Sequence, residues 1–265
     1  MKKALTIAGS DCSGGAGIQA DLKTFSAYQV FGMSAITAIV AENTIGVQAI
    51  EDLPVEIIVR QIRSCTDDLG VDAVKVGMLS NPEIVLAVAA SIRDLKLPNV
   101  VVDPVMVAKS GDPLLSEEAR ETLREHLLPL AKVITPNRFE AEALTGRSIG
   151  SIDEMKAAAA ELRTCGCGWV VLKGGHLPQM DEAVDIAFDG GRAHELRAHF
   201  LDTKHTHGTG CTFSSAIAAG LAKGYAVLEA IERAKEFISL AIEKAPALGH
   251  GHGPTNHFVG VESRW

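Results

Sequence analysis

Short apolar runs rich in β-branched residues alternate along this chain with longer amphipathic segments, and that alternation leaves few folds open. Residues 5–8, 35–40, 73–76, 100–102, 133–135 and 170–172 read as buried strands. Helical periodicity falls between and after them, over 18–28, 55–69, 82–95, 117–128, 140–144, 152–164, 212–223 and 227–244. Strand–helix alternation of this kind predicts βαβ crossovers and a central, mainly parallel β-sheet with helices on both faces. The looser alternation over 180–201 predicts antiparallel strands at one edge. No repeat or linker-like tract interrupts the pattern, so 1–265 is expected to form one domain.

In sheets of this type, ligands lie beyond the carboxyl ends of the strands. Those positions carry Gly9-Ser10-Asp11, Glu42-Asn43, Gly77-Met78, Asp103-Pro104, Asn137 and Lys173-Gly174-Gly175, a polar and glycine-rich set that suits a site better than a core. A formal charge of −8 argues against nucleic acid as a partner. No run approaches the roughly 20 apolar residues a spanning helix needs, so no membrane partner is expected. The apolar run after Lys3 is too short for a secretory core and stops at Asp11. Five scattered cysteines fit a reducing cytoplasm better than a disulfide scaffold.

The strongest motif is Thr206-His207-Gly208-Thr209-Gly210-Cys211-Thr212, which runs directly into an apolar helical stretch. Its glycines let backbone N–H groups turn inward, and the helix start adds a positive dipole end. Such a cradle suits a transferring phosphate, although a plain glycine-rich helix cap has the same composition. A helix N-terminus also lowers a thiol's pKa from about 8.5, which would suit Cys211 to removing a proton.

Two other chemistries can be written onto the sequence. Gly15-Ala16-Gly17-Ile18-Gln19-Ala20 fits a dinucleotide fingerprint, with Glu42 about 20 residues further on. Residues 10–14, however, separate the first strand from the first glycine, where that fingerprint wants the glycine at the strand end. His205, His207, His250 and His252, with Cys165 and Cys167, give no four-ligand zinc spacing. Cys165 and Cys167 have no assigned role.

Residues 206–212, with cysteine rather than aspartate at position 211, resemble the anion-hole signature of the hydroxymethylpyrimidine and phosphomethylpyrimidine kinases within the ribokinase-like superfamily. Further matches are Gly9-Ser10-Asp11, the stretch 13–21, Asp103-Pro104-Val105-Met106 and Lys109-Ser110-Gly111. Thr135-Pro136-Asn137 with Glu140, Lys173-Gly174-Gly175-His176 and Gly251-His252-Gly253-Pro254 complete the set, in the family's order over nearly the whole chain.

The resemblance implies an enzyme that uses ATP and Mg²⁺ to phosphorylate a small-molecule hydroxymethylpyrimidine, and a homodimer. It implies Cys211, Gly208, Gly210 and Lys109 as catalytic, and Gly9, Asp11, Asp21, Glu42, Met78 and Val105 around the substrate. Asn137, Glu140, Lys173, Thr206, His207 and Thr209 are implied around the nucleotide, with Asp103 and Glu140 toward the metal. Two positions depart from the pattern: Glu42 stands where a glutamine is usual, and Ala108 stands where related pyridoxal kinases carry a lid cysteine. Ala108 points away from a dedicated pyridoxal kinase. A pyridoxal or pyridoxine kinase and a non-catalytic pyrimidine-binding protein remain the alternatives.

Overall fold

The computed structural model describes residues 1–107, 114–176 and 182–261. Strands β1 (Lys3–Ala8), β2 (Phe31–Ile36), β5 (Ala73–Val76), β6 (Val100–Val102), β7 (Val133–Ile134), β8 (Trp169–His176), β9 (Glu182–Phe188) and β10 (Ala193–His199) form one sheet. Its order is β10-β9-β8-β7-β6-β5-β1-β2. From β2 to β8 every pairing is parallel, and β9 and β10 close the far edge antiparallel, as the pattern over 180–201 predicts.

Alternation along the strands sends neighbouring residues to opposite layers. Val100 and Val102 join Leu5, Ile7 and Val76 against α2 (Val55–Asp68), α3 (Pro82–Asp94) and α6 (Ile152–Arg163). Val101 joins Ala73, Val133 and Val171 on the other face, against α1 (Gly17–Ala27), α7 (Thr209–Lys223) and α8 (Val227–Glu243). Helix α7 is buried along nearly its whole length, which explains why its sequence is apolar all round. A mainly parallel sheet covered on both faces is the α/β architecture expected from the sequence. No helix among the described residues is long and apolar enough to cross a membrane.

Three boundaries differ from the expectations. The strand predicted over 35–40 is broken at Thr37, whose N–H bonds the Ala8 carbonyl and whose own carbonyl accepts from Leu53. The chain thereby leaves the main sheet, and β3 (Ala38–Glu42) pairs antiparallel with β4 (Val47–Asp52) in a separate ribbon. The helix predicted over 117–128 is α-helical only over Glu117–Thr122, which is α4. It widens through Leu123–Leu127 and ends at Leu128–Leu130, where Pro129 has no N–H to continue the ladder. Helix α7 starts at Thr209 rather than at 212, so Thr209, Gly210 and Cys211 form its first turn.

Candidate active site

The carboxyl ends of β1, β5, β6, β7 and β8 open on one edge, and the predicted residues gather there. Asp103, just beyond β6, is buried; its Oδ1 accepts from Thr135 Oγ1 at 3.0 Å and from Lys173 Nζ at 2.9 Å. Beyond β7, Asn137 caps α5 (Arg138–Thr145): its side chain accepts from the Glu140 N–H at 2.9 Å, and Glu140 Oε2 accepts from the Asn137 N–H at 2.6 Å. The Asn-x-x-Glu pair is therefore a reciprocal capping box first. Asn137 spends its carbonyl oxygen on that cap, while Glu140 stays buried beside Asp103 and Lys173.

Burial pushes the Glu140 carboxyl up to about 7, with Asp103 adding to the rise and Lys173 opposing it. Burial works against the charge on Lys173 as well, but Asp103 and Glu140 outweigh it and leave the ammonium more firmly protonated than usual.

The first turn of α7 faces this cluster. Gly208 is its cap residue in the left-handed region at φ 75°, and a Cβ there would lie 1.8 Å from the Gly15 carbonyl oxygen. Only glycine permits both the conformation and the approach. A Cβ on Gly210 would sit 3.2 Å from both Asp103 Oδ2 and Lys173 Nζ, so the helix start lies directly against the charged pair. Thr209 Oγ1 donates to the Thr206 backbone carbonyl at 2.7 Å, which ties the loop to the helix and occupies the Thr209 hydroxyl proton. The first-turn N–H groups of a helix have no intrahelical acceptor.

Cys211, part-exposed in that turn, departs from expectation. Burial pushes its thiol up to about 11, and Asp21 and Asp103 add to the rise. Lys75 opposes it without reversing it. The lowering expected from the helix N-terminus does not survive burial, to which the two nearby carboxylates add.

On the β1 side, Gly9 and Met78 adjoin: a Cβ on Gly9 would lie 3.3 Å from Met78 Sδ. Val105 is part-exposed just after Asp103. Asp11 and His207, expected at substrate and nucleotide, instead hold each other. His207 Nε2 is 2.8 Å from Asp11 Oδ2, and the same carboxylate accepts from the N–H groups of Ser13, Gly15 and Ala16. Burial works against charge on Asp11, yet His207, the Ser13 hydroxyl and the Ala16 N–H bring it down to about 2. The pair pins the loop before α1 to the loop before α7. Glu42 ends β3 at a bulge, half-buried; single ligand atoms of Asp11, Glu42 and His207 all lie within 4.8 Å of one another.

Asp21 likewise lies beneath the site rather than in it. It is fully buried, with Oδ2 accepting from Thr6 Oγ1 at 2.6 Å and Lys75 Nζ at 2.9 Å, and Oδ1 accepting from Ser215 Oγ at 2.7 Å. Lys109 and Ala108 lie outside the described residues. Lys75 and Ser215 were missed by sequence reasoning. A lysine inside the four-residue buried strand Ala73–Val76 was the available signal.

The residues fit a nucleotide phosphate with its cation. Asp103 and Glu140 are buried carboxylates whose mutual repulsion a metal ion would relieve, and Gly210 brings the backbone of the helix start close to Asp103 and Lys173.

The profile of the family described as phosphomethylpyrimidine kinase matches residues 11–256. The hydroxymethylpyrimidine/phosphomethylpyrimidine kinase of Bacillus subtilis (strain 168) is 50% identical over 97% of this chain and 95% of its own. Among solved structures, an ADP complex of Bacillus subtilis pyridoxal kinase is 48% identical with a TM-score of 0.91, covering 97% of this chain and 98% of that one. Phosphomethylpyrimidine kinase from Clostridium difficile 630 is 47% identical with a TM-score of 0.82, over 91% of this chain and 100% of that one. The chain belongs to the phosphomethylpyrimidine kinase family: it is a ribokinase-like small-metabolite kinase, closely related both to the pyrimidine kinases and to the pyridoxal kinases.

Proposed function

We propose that the chain transfers the γ-phosphate of ATP to the hydroxymethyl group of a six-membered nitrogen heterocycle. In this reading it phosphorylates 4-amino-5-hydroxymethyl-2-methylpyrimidine and then its monophosphate, and the same pocket takes pyridoxine-type pyridines. The carrying observation is the first turn of α7 set against the Asp103–Lys173 pair, with Gly210 letting the helix start come closer to both than a residue with a Cβ could. Phosphoryl transfer asks chiefly for positioning and charge stabilisation, and that arrangement supplies both.

When bound, Mg²⁺ would neutralise charge on the phosphates; Asp103 and Glu140 are the residues to hold it. Lys173 offers the ammonium beside them, and the backbone of Gly208–Cys211 offers N–H groups to the transferring phosphate. Cys211 accepts the proton released by the acceptor hydroxyl. Gly9, Met78, Val105 and Glu42 border the ring. Lys109 belongs to the proposal through the family resemblance alone.

Glu42 favours the pyridine reading. An ionised carboxylate offers only acceptors, which suit the hydroxyl of a 3-hydroxypyridine, whereas a neutral aminopyrimidine presents a ring nitrogen that also accepts. The likeness to Bacillus subtilis pyridoxal kinase supports the same reading and weighs against narrowing the substrate on Ala108. A homodimer and a single domain over 1–265 are part of the proposal; sedimentation at micromolar concentration tests the first.

The deciding experiment incubates the enzyme with ATP–Mg²⁺ and a panel of hydroxymethylpyrimidine, its monophosphate, pyridoxine and pyridoxal, with products separated by mass. Two phosphates on the pyrimidine and one on the pyridines are expected. Absence of phosphoryl transfer to every member would overturn the reading.

A further inference from the structure

Lys75 is a fully buried ammonium that neither the fold nor the proposed chemistry accounts for. Val74 and Val76 point into the layer of α2 and α3, so alternation turns Lys75 toward α1 and α7. Its only hydrogen-bond partner among the described residues is Asp21 Oδ2, at 2.9 Å, although an ammonium carries three donors. Asp21 is itself tied to α7 through Ser215, which lies one helical turn after Cys211 and so on the same helix face. The ammonium therefore sits under the face of α7 that carries Cys211. Gly77, next on the strand in this direction, keeps its upper side clear: a Cβ there would lie 2.7 Å from Nζ.

We propose that Lys75 is a positioning residue that acts through Cys211, its ammonium stabilising the thiolate while Asp21 holds and partly neutralises the cation. The proposal rests on Cys211 as proton acceptor. The thiolate takes the proton from the hydroxymethyl oxygen as that oxygen bonds to the γ-phosphorus of ATP and the bond from that phosphorus to the bridging oxygen breaks, so that ADP leaves; the resulting thiol returns the proton to solvent. The charged groups that face Cys211 are Lys75 from β5, Asp21 from α1, Asp103 beyond β6 and Lys173 from β8. Lys75 favours the thiolate, and Asp21 and Asp103 oppose it. Electrostatic control of this kind gives the two charges opposite effects on the thiol, whereas a loss of packing would move both variants the same way.

The test measures alkylation of Cys211 by iodoacetamide between pH 7 and 10 in the presence of Mg²⁺, read at that residue by mass spectrometry. Lys75→Met should slow the reaction at pH 9 by roughly tenfold, the effect of one unit in thiol pKa. Asp21→Asn, which removes the opposing anion, should speed it by a similar factor, and Lys75→Arg should keep the wild-type profile. Melting curves establish that each variant is folded. If Lys75→Met does not fold, the sign of the change in Asp21→Asn decides. Rates that move in one direction for both variants, or that do not move, overturn the proposal. Because alkylation is read without turnover, that failure is distinct from full kcat in Cys211→Ala, which would instead remove Cys211 as proton acceptor.

Discussion

Cys211 combines a part-exposed position in the first turn of α7 with a thiol pushed up to about 11 by burial and by Asp21 and Asp103. At neutral pH nearly all of it is protonated, so a thiolate acting as base is scarce and its population rises tenfold per pH unit. The expected result is a kcat that climbs with near-unit slope from pH 6.5 to 9. Cys211→Ala should lower kcat by roughly 10²–10⁴, the usual range for a general base. Cys211→Asp, ionised throughout, should flatten the profile; a flat wild-type profile would count against the role. Glu42 supports a second prediction. Glu42→Gln should tighten binding of the aminopyrimidine, because an amide can donate to the ring nitrogen where a carboxylate sets an acceptor against an acceptor. The effect should be about 1–3 kcal/mol, one mismatched polar contact; superimposable titrations would show that Glu42 does not touch the ring. Residue identities such as Cys211 and Lys173 were legible in the sequence because chemistry restricts what can stand there. Their protonation was not, because it depends first on burial in the folded chain and then on carboxylates brought near by α1, β6 and α5.

At the scale of elements, the turn into α7 separates two uses of glycine. Gly208 is conformational: φ 75° and the Gly15 carbonyl leave no room for a Cβ. Gly208→Ala should therefore lower stability by at least about 1–2 kcal/mol, the left-handed penalty alone, seen as a fall in melting temperature. Gly210 has an ordinary backbone conformation and guards space beside Asp103 and Lys173. Gly210→Asp should fold, melt near wild type and lose turnover, since it puts charge and bulk in the phosphate cradle. Full activity in that variant would dismiss the cradle. The motif's glycines were visible from the sequence, but not which of them shapes the backbone and which clears the site. The same limit applies to Asp11 and His207. As polar residues after a strand and before a helix they read as ligand-binding, whereas across 196 positions of chain they bind each other.

For the whole molecule, the buried charges at the sheet edge couple stability to pH. Glu140 has its carboxyl raised to about 7, above the ordinary value of 4.5. Below 4.5 the folded and unfolded chains both hold its proton. Between 4.5 and 7 the folded chain holds it longer, so this group's contribution to stability falls as pH rises and levels off above 7. Glu140→Gln should remove that falling component in denaturant titrations from pH 5 to 8; an unchanged slope would mean Glu140 is ionised throughout. The sequence by itself determined the layered α/β class, the antiparallel edge at β9 and β10, and the edge of the sheet where the site would form. Those features rest on the period of apolar residues and on glycine and polar residues at strand ends, which are local properties. Only the tertiary structure decided the break at Thr37, the burial of Asp21 beneath Lys75, and the pairing of Asp11 with His207. Each depends on which distant atoms satisfy a buried polar group, and a buried donor or acceptor is satisfied in three dimensions wherever the fold brings a partner within reach.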